Sequence, residues 1–200
     1  MGSQPYEIVY GPANIYLAAV GTTFPTVDAT PGAGWFKLGT DGDKNFAESG
    51  VKIGFNQTIN EWKGLGSTGA RKVTRISEAF KVSGEIADLT PAQLAKFLND
   101  VTVSTVAAAS GQIGTKSITL HQGVTVTLFA LVVRFESPEG LWNGQLQVPR
   151  VYHSGNPGFT LEKANPALAA FEFTAIEDIT AVSDDMFYGE YIEQNADALP

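Results

Sequence analysis

The 200-residue sequence predicts a mainly β fold: a β-sandwich or partial barrel with long hairpins and one short flanking α-helix. Three observations carry that prediction. First, Val51–Trp62 and Lys72–Ala87 alternate apolar and polar residues with a period of two, which marks strands with one buried and one wet face. Second, the composition is rich in turn formers and strand formers, with 21 Gly and 10 Pro beside many Thr, Val and Phe, and only 2 Met. Third, a single stretch beginning at Thr90 combines a helix start with helical apolar spacing. At 44% hydrophobic residues the chain can bury a core of ordinary size. Its length suits one domain, so residues 1–182 are expected to form one β unit and 183–200 an acidic C-terminal arm.

Taken in order, Asn14–Val20 reads as a first strand, followed by a Thr/Pro/Gly loop through Phe24-Pro25 and Pro31-Gly32. Trp35–Leu38 is a short second strand. Asp41-Gly42-Asp43-Lys44-Asn45 is a turn into the long hairpin. In the hairpin's first strand Val51, Ile53, Phe55 and Ile59 share one face, and Lys52, Asn56, Thr58 and Asn60 the other. In its second strand Ile76, Phe80, Val82 and Ile86 oppose Arg75, Ser77, Lys81, Ser83 and Glu85. At about 3.3 Å per residue the second strand spans on the order of 50 Å, whereas ordinary strands run to roughly five or six residues. Such a hairpin is an odd possession for a compact monomer.

The helix follows. Thr90-Pro91-Ala92-Gln93 has the form of a capping box with proline at the first helical position. Leu89 and Leu94 are spaced as a hydrophobic staple, and Leu94, Phe97 and Leu98 give one apolar face. Beyond it, Val101–Ala109 and Ser117–His121 read as strands. Val124–Glu136 reads as a longer strand buried on both faces. Trp142–His153 puts Trp142, Leu146, Val148 and Tyr152 on one face, and Ala167–Ile179 contains a closing strand.

Charge and composition exclude several function classes. The 13 Lys and Arg all lie in residues 1–163 together with 13 of the 21 acids, which leaves eight acids and no cation in residues 164–200. A nucleic-acid binder would show a basic stripe instead. The sequence has no cysteine, so disulfides and thiolate metal sites are excluded. No basic segment followed by an apolar run opens the chain, and its longest apolar run, Leu128–Val133, is too short to cross a bilayer. The expectation is a soluble protein made in the cytoplasm.

Motifs that could carry chemistry each have a plainer reading. Gly64-Leu65-Gly66-Ser67-Thr68-Gly69 matches the dinucleotide fingerprint, but that chemistry needs a helix after the glycines, and here a strand pattern follows. It reads as a hairpin tip. Asp41–Asn45 begins like a calcium loop, yet Phe46 and Lys52 stand where a tight-turn glycine and a bidentate carboxylate belong. His121 and His153 lack a serine or acid partner in any recognisable catalytic motif. Glu177-Asp178 and Asp184-Asp185 look like solvated acids rather than a glycosidase pair. Trp35, Trp62 and Trp142 suit core or interface roles better than a sugar platform. Nothing points to an enzyme, a metal or a cofactor.

Assembled, these pieces resemble the major tail tube proteins of long-tailed bacteriophages, from about Ala13 to Asp178. The resemblance lies in Asn14-Ile15-Tyr16-Leu17-Ala18-Ala19 with its Thr/Pro loop and Gly34-Trp35-Phe36-Lys37-Leu38-Gly39. It continues through the long hairpin, Leu89-Thr90-Pro91-Ala92-Gln93-Leu94, and the closing Phe171-Glu172-Phe173-Thr174-Ala175-Ile176-Glu177-Asp178. It implies a homo-oligomer: six copies closing into a ring, with rings stacked into a tube in the virion tail, built in the host bacterial cytoplasm. The tube would conduct DNA without binding it specifically, and would meet other tail proteins such as the tape measure, the terminator and the baseplate or tip. No membrane is involved.

On that resemblance the lumen would be lined by Lys52, Asn56, Thr58, Asn60, Arg75, Ser77, Lys81, Ser83 and Glu85, with Glu61, Glu85 or the acidic arm offsetting the cations. Contacts between rings or subunits are expected at the 40–50 loop (Asp41, Asp43, Lys44), the hairpin tip (Gly64, Gly66, Gly69) and the arm (Asp184, Asp185). These segments are long, polar and attached to no predicted core. Two other classes stay open at this point: a carbohydrate-binding β-sandwich using the tryptophans, and a virion decoration protein.

Overall fold

A computed structural model describes residues 11–136, 143–180 and 188–194. The fold is mainly β with one short helix, and its strands pair antiparallel throughout. Eight strands form one sheet in the order β2-β1-β7-β8-β9-β4-β3, with β10 also on β8. These are β1 (Ala13–Ala19), β2 (Phe36–Lys37), β3 (Lys52–Trp62), β4 (Lys72–Ile86), β7 (Phe129–Glu136), β8 (Asn143–His153), β9 (Ala169–Ala175) and β10 (Glu190–Glu193). A separate pair, β5 (Ser104–Val106) and β6 (Thr115–Ser117), stands outside it. With β2 and β3 at its two ends the sheet is open, not a closed barrel.

The sheet curls over its own apolar face. Ile15 and Leu17 near one end and Phe80 and Val82 near the other belong to one buried cluster, together with Leu131, Val133, Phe171 and Phe173. Strands well apart in the sheet can share a core only if the sheet folds over, which gives the sandwich character. β7 is an interior strand between β1 and β8, and Phe129–Arg134 is buried on both faces, as its unbroken apolar run predicts. The α-helix α1 (Pro91–Phe97) closes one end of the curl. Phe97 stacks on Phe171 with ring centroids 6.0 Å apart, and Lys96 lies over the rings of Phe36 and Phe129.

The helix cap differs from expectation. Thr90 makes no side-chain cap bond; Asp88 takes the role, its Oδ1 accepting from Thr90 N (3.1 Å) and its Oδ2 from Thr40 N and Oγ1. Burial alone would raise the Asp88 carboxyl, but the hydrogen bonds from Thr40 and Thr90 outweigh it and hold it below the usual carboxylate range. Gln93 does not reach back to its cap either, and donates to the Lys37 carbonyl at 3.3 Å. The buried helical residues are Gln93, Ala95 and Phe97, with Leu89 and Leu94 packed on the core.

Both faces of the central strands are covered, and the second cover is the loop 21–34. Arg134, Gln145 and Gln147 lie on the face away from the apolar cluster and are nevertheless buried. Arg134 donates to the carbonyls of Ala29 and Val27, while Gln145 and Gln147 both donate to Pro25 O. A buried guanidinium is tolerated where its N–H groups find partners, and here loop carbonyls supply them. On the same strand a register shift between Val148 and Val151 turns Tyr152 opposite Thr174. Tyr152 therefore leaves the face of Leu146 and Val148, and Trp142 lies outside the described residues.

Other boundaries shift for readable reasons. Asp41–Asn45 folds as a 3-10 turn (Gly42–Asn45) held to β1, where Asn14 Oδ1 accepts from Asp43 N. The 40–50 loop is therefore attached to the core, through Phe46, Ala47 N to Glu85 O and Ala87 N to Asn45 O. Strand β7 starts at Phe129 rather than Val124, and residues 104–126 are almost wholly exposed around the short β5–β6 pair. The C-terminal arm is not free either. Tyr188 packs on the core and Glu190–Glu193 adds to the edge of β8. Gly189 enables that docking: its φ is +122°, and a Cβ there would lie 2.0 Å from Gln147 O.

Candidate assembly surface

The β3–β4 hairpin is the feature with no partner of its own size. Its base belongs to the domain: β9 pairs with Lys81–Ile86, and Phe80, Val82 and Ile86 are buried. From Lys72 to Ala79 that side of β4 has no strand neighbour among the described residues, and β3 pairs only with β4 along all its 11 residues. The expected division into one buried and one wet face holds at the base alone. Farther out both faces are wet, with Phe55 77%, Ile76 65% and Trp62 59% exposed.

Register assigns the two faces. Ile53 opposes Val82, Phe55 opposes Phe80 and Gln57 opposes Glu78 on the inward face. On the outward face Lys52 opposes Ser83, Asn56 opposes Ala79 and Thr58 opposes Ser77. The register then slips between Thr58 and Ile59, leaving Ile76 as an extra residue on β4. Beyond the slip Ile59 opposes Arg75 and Glu61 opposes Val73, both pairs on the inward side, while Asn60 opposes Thr74 on the outward side.

The register corrects two expectations, the slip that of Arg75 and the unbroken alternation of β3 that of Glu61. Arg75 does not share a face with Lys52, Lys81 and Ser83; it bonds Gln57 Oε1 at 3.0 Å and Glu78 Oε2 at 3.2 Å on the inward side. Glu61 does not offset the outward cations either, since it turns inward and sits 3.9 Å from Lys63. A period-two count cannot see a one-residue insertion, so on β4 it puts Arg75, past Ile76, on the wrong face.

The outward face holds the remaining predicted residues: Lys52, Asn56, Thr58, Asn60, Ser77, Lys81, Ser83 and Glu85. The neutraliser there is one that spacing did not single out. Glu172 on β9 stands 2.9 Å from Lys81 Nζ and accepts from Ser154 Oγ, which also meets Thr174 Oγ1 at 2.6 Å. The bond from Lys81, then that from Ser154, holds the Glu172 carboxyl below its usual range, and the same bond pushes the Lys81 ammonium up. Strand alternation points Glu172 toward Ser83, its pairing partner, which is the retrievable signal.

At the tip, Gly64–Gly69 is a bare turn closed by Ser67 N to Gly64 O and Ser67 Oγ to Gly69 O, with Leu65 fully exposed. No helix follows it, so the phosphate-loop geometry is absent. Gly64, Gly66 and Gly69 thus sit together at the far end of the hairpin. Asp41, Asp43 and Lys44 lie near its base, and Asp184 and Asp185 fall outside the described residues. Between the base of β3, Phe46, Leu146 and Tyr191 the curled sheet leaves an open apolar cavity of about 940 Å³.

The other candidates do not assemble into a site. His153 lies between Phe97 and Phe173, and burial lowers it to about 4 against a smaller opposing pull from Glu172. Trp35 is committed to its loop, packed on Phe24 with Nε1 donating to Thr23 O. Trp62 stands alone on the hairpin, and Asp178 is engaged by Thr180 and lies 3.3 Å from Arg150. Among the described residues no three His, Asp or Glu side chains are grouped to hold a metal, and no helix is long and apolar enough to cross a membrane. No protein-family model matches the chain, and no curated protein matches it.

Proposed function

We propose that this chain is the repeating structural subunit of a phage tail tube, assembling into stacked rings whose lumen passes viral DNA. One observation carries the reading: an 11-residue strand that pairs on one side only among the described residues, in a hairpin whose apolar face is exposed. An unpaired edge of that length invites pairing with another chain. A ring in which each hairpin pairs with its neighbours leaves no edge, covers the inward apolar face and turns the outward polar face to the lumen. Six copies is the number the sequence resemblance implies.

The charge on the outward face suits a conduit. Each cation free to contact phosphate adds affinity and slows passage. Lys81 is neutralised by Glu172, Glu85 adds an acid, and Arg75 is turned to the other face. Lys52 and, near the tip, Lys72 are left, among Asn, Thr and Ser side chains that can hold water. The same reading places the protein in the virion tail, with the tape measure, the terminator and the baseplate or tip as partners.

Negative-stain electron microscopy of the concentrated protein tests this. Rings and hollow tubes with a bore wide enough for duplex DNA are expected. A protein that stays monomeric near millimolar concentration overturns the proposal. Glycan binding by that monomer would favour the sugar-binding alternative, and binding only to assembled capsids would favour a decoration protein.

A further inference from the structure

The hairpin is electrically polar along its length. Its far end carries Lys63, Arg71 and Lys72 against the single acid Glu61, all exposed. Arg71 and Lys72 have no ion-pair partner among the described residues. Its base is acidic. There Tyr188 donates to Glu78 O at 2.8 Å and lines one hollow with Phe55, Phe80 and Glu190, and burial, then the charges of Glu78 and Glu177, push its hydroxyl up. Glu190 follows two residues later, exposed on the edge strand β10. Arg75 meets only Glu78 of this group.

From Arg71 to Glu78 is seven residues, or about 23 Å along the strand. A side chain at the far end cannot reach the base of its own hairpin, because the strand between them is extended. The two ends can meet only between molecules. Complementary patches at separate places on one surface fit a head-to-tail contact, which propagates into a closed ring or an open filament, whereas an antiparallel two-fold pair would satisfy both at once and stop at the dimer, which sedimentation distinguishes. We infer that the basic hairpin tip of one copy docks at the acidic hairpin base of the next, against Glu177 and Glu190, and that this contact sets the direction of assembly.

The inference rests on the self-assembly proposed above, but not on the product being a tube. Charge fields of opposite sign speed encounter and reject wrong pairings more than they deepen affinity. The exposed apolar residues flanking the charges supply the burial.

A charge swap on the full chain is the test, read by sedimentation velocity at low and high ionic strength. Arg71→Glu with Lys72→Glu makes both ends acidic, and Glu177→Lys with Glu190→Lys makes both ends basic. Each doubly substituted chain should associate on the order of tenfold or more weakly than the parent at low salt. An equimolar mixture of the two should associate again, because each tip then faces an opposite base. Recovery on mixing also shows that both variants are folded. Assembly of the unsubstituted chain should weaken as salt rises from about 0.05 to 0.5 M.

Variants that assemble like the parent, or a mixture that stays apart, would overturn the inference while leaving tubes intact. Salt-sensitive rings or filaments with no bore would support the inference and remove the tube. A parent chain that never associates would overturn both.

Discussion

Asn99 is the residue on which the exposed 101–126 excursion depends. It follows α1 with φ +65°, and Asp100 follows with φ +57°. Its Nδ2 donates to the carbonyls of Gln122 and Thr125, both at 2.6 Å, and its Oδ1 accepts from Thr127 N at 2.5 Å. Its own carbonyl accepts from Thr127 Oγ1 at 3.0 Å. One side-chain amide thus ties the chain leaving the helix to the chain entering β7. Asn99→Ala removes three side-chain bonds, each contributing about 0.5–1.5 kcal/mol net. It also places Ala in the left-handed region, at a cost of about 1–2 kcal/mol. The expected loss is about 3–5 kcal/mol.

The two contributions separate in a second variant. Asn99→Gly loses the same bonds but tolerates the backbone, so it should be more stable than Asn99→Ala by about 1 kcal/mol. Urea unfolding gives both differences from the midpoints at a common slope. Hydrogen exchange should report earlier opening of the Thr127 amide, the donor that loses its acceptor. An Asn99→Ala midpoint within about 0.5 kcal/mol of the parent, with unchanged exchange at Thr127, would refute the clasp.

Three further outcomes are expected. Arg134→Ala orphans the Val27 and Ala29 carbonyls under the 21–34 loop, and should cost about 2–4 kcal/mol and expose that loop to limited proteolysis. His153 falls from 6.5 to about 4 on folding, so its contribution is complete above pH 6.5 and declines as pH falls toward 4. Between pH 6.5 and 5 that is a loss of about 2 kcal/mol; His153→Phe should flatten stability across this window, and an equal slope in both proteins would disprove the assignment. Hydrogen exchange in dilute protein should show fast exchange at Asn60 and Thr74, since a two-stranded ribbon wet on both faces is marginal in water. The same amides should become protected in assembled material.

Local patterns reported local facts well. Period two found β3 and β4, proline beside a cap found α1, and the unbroken apolar run around Leu131 found the doubly buried β7. What stayed hidden depends on partners distant in sequence. Gln145 and Gln147 alternate with Leu146 and Val148 as any half-wet strand would, and nothing local says that Pro25 covers them. Asp88 also holds Thr40, a partner that no local pattern announces. Glu190–Glu193 is too short for its alternation to register, and it forms a strand because β8 offers an edge where β9 stops. On the hairpin the limit was the slip at Ile76, which moved Arg75 to the inward side.

That slip bears on how the hairpin survives before it finds a neighbour. Phe55, Ile59 and Ile76 with an unpaired edge would make an aggregation-prone strand if the apolar row ran unbroken. Turning Arg75 inward sets a guanidinium between them, bridged to Gln57 and Glu78. A charge on the exposed face and a bulge in the ladder are two devices by which natural sheets discourage indiscriminate edge pairing. Both act on the isolated chain. Neither prevents a neighbour that brings complementary charge and apolar surface in the right register. The hairpin is therefore guarded against random partners yet left uncovered, a combination that selection for monomer solubility alone does not explain, because shortening the strands would serve that end better.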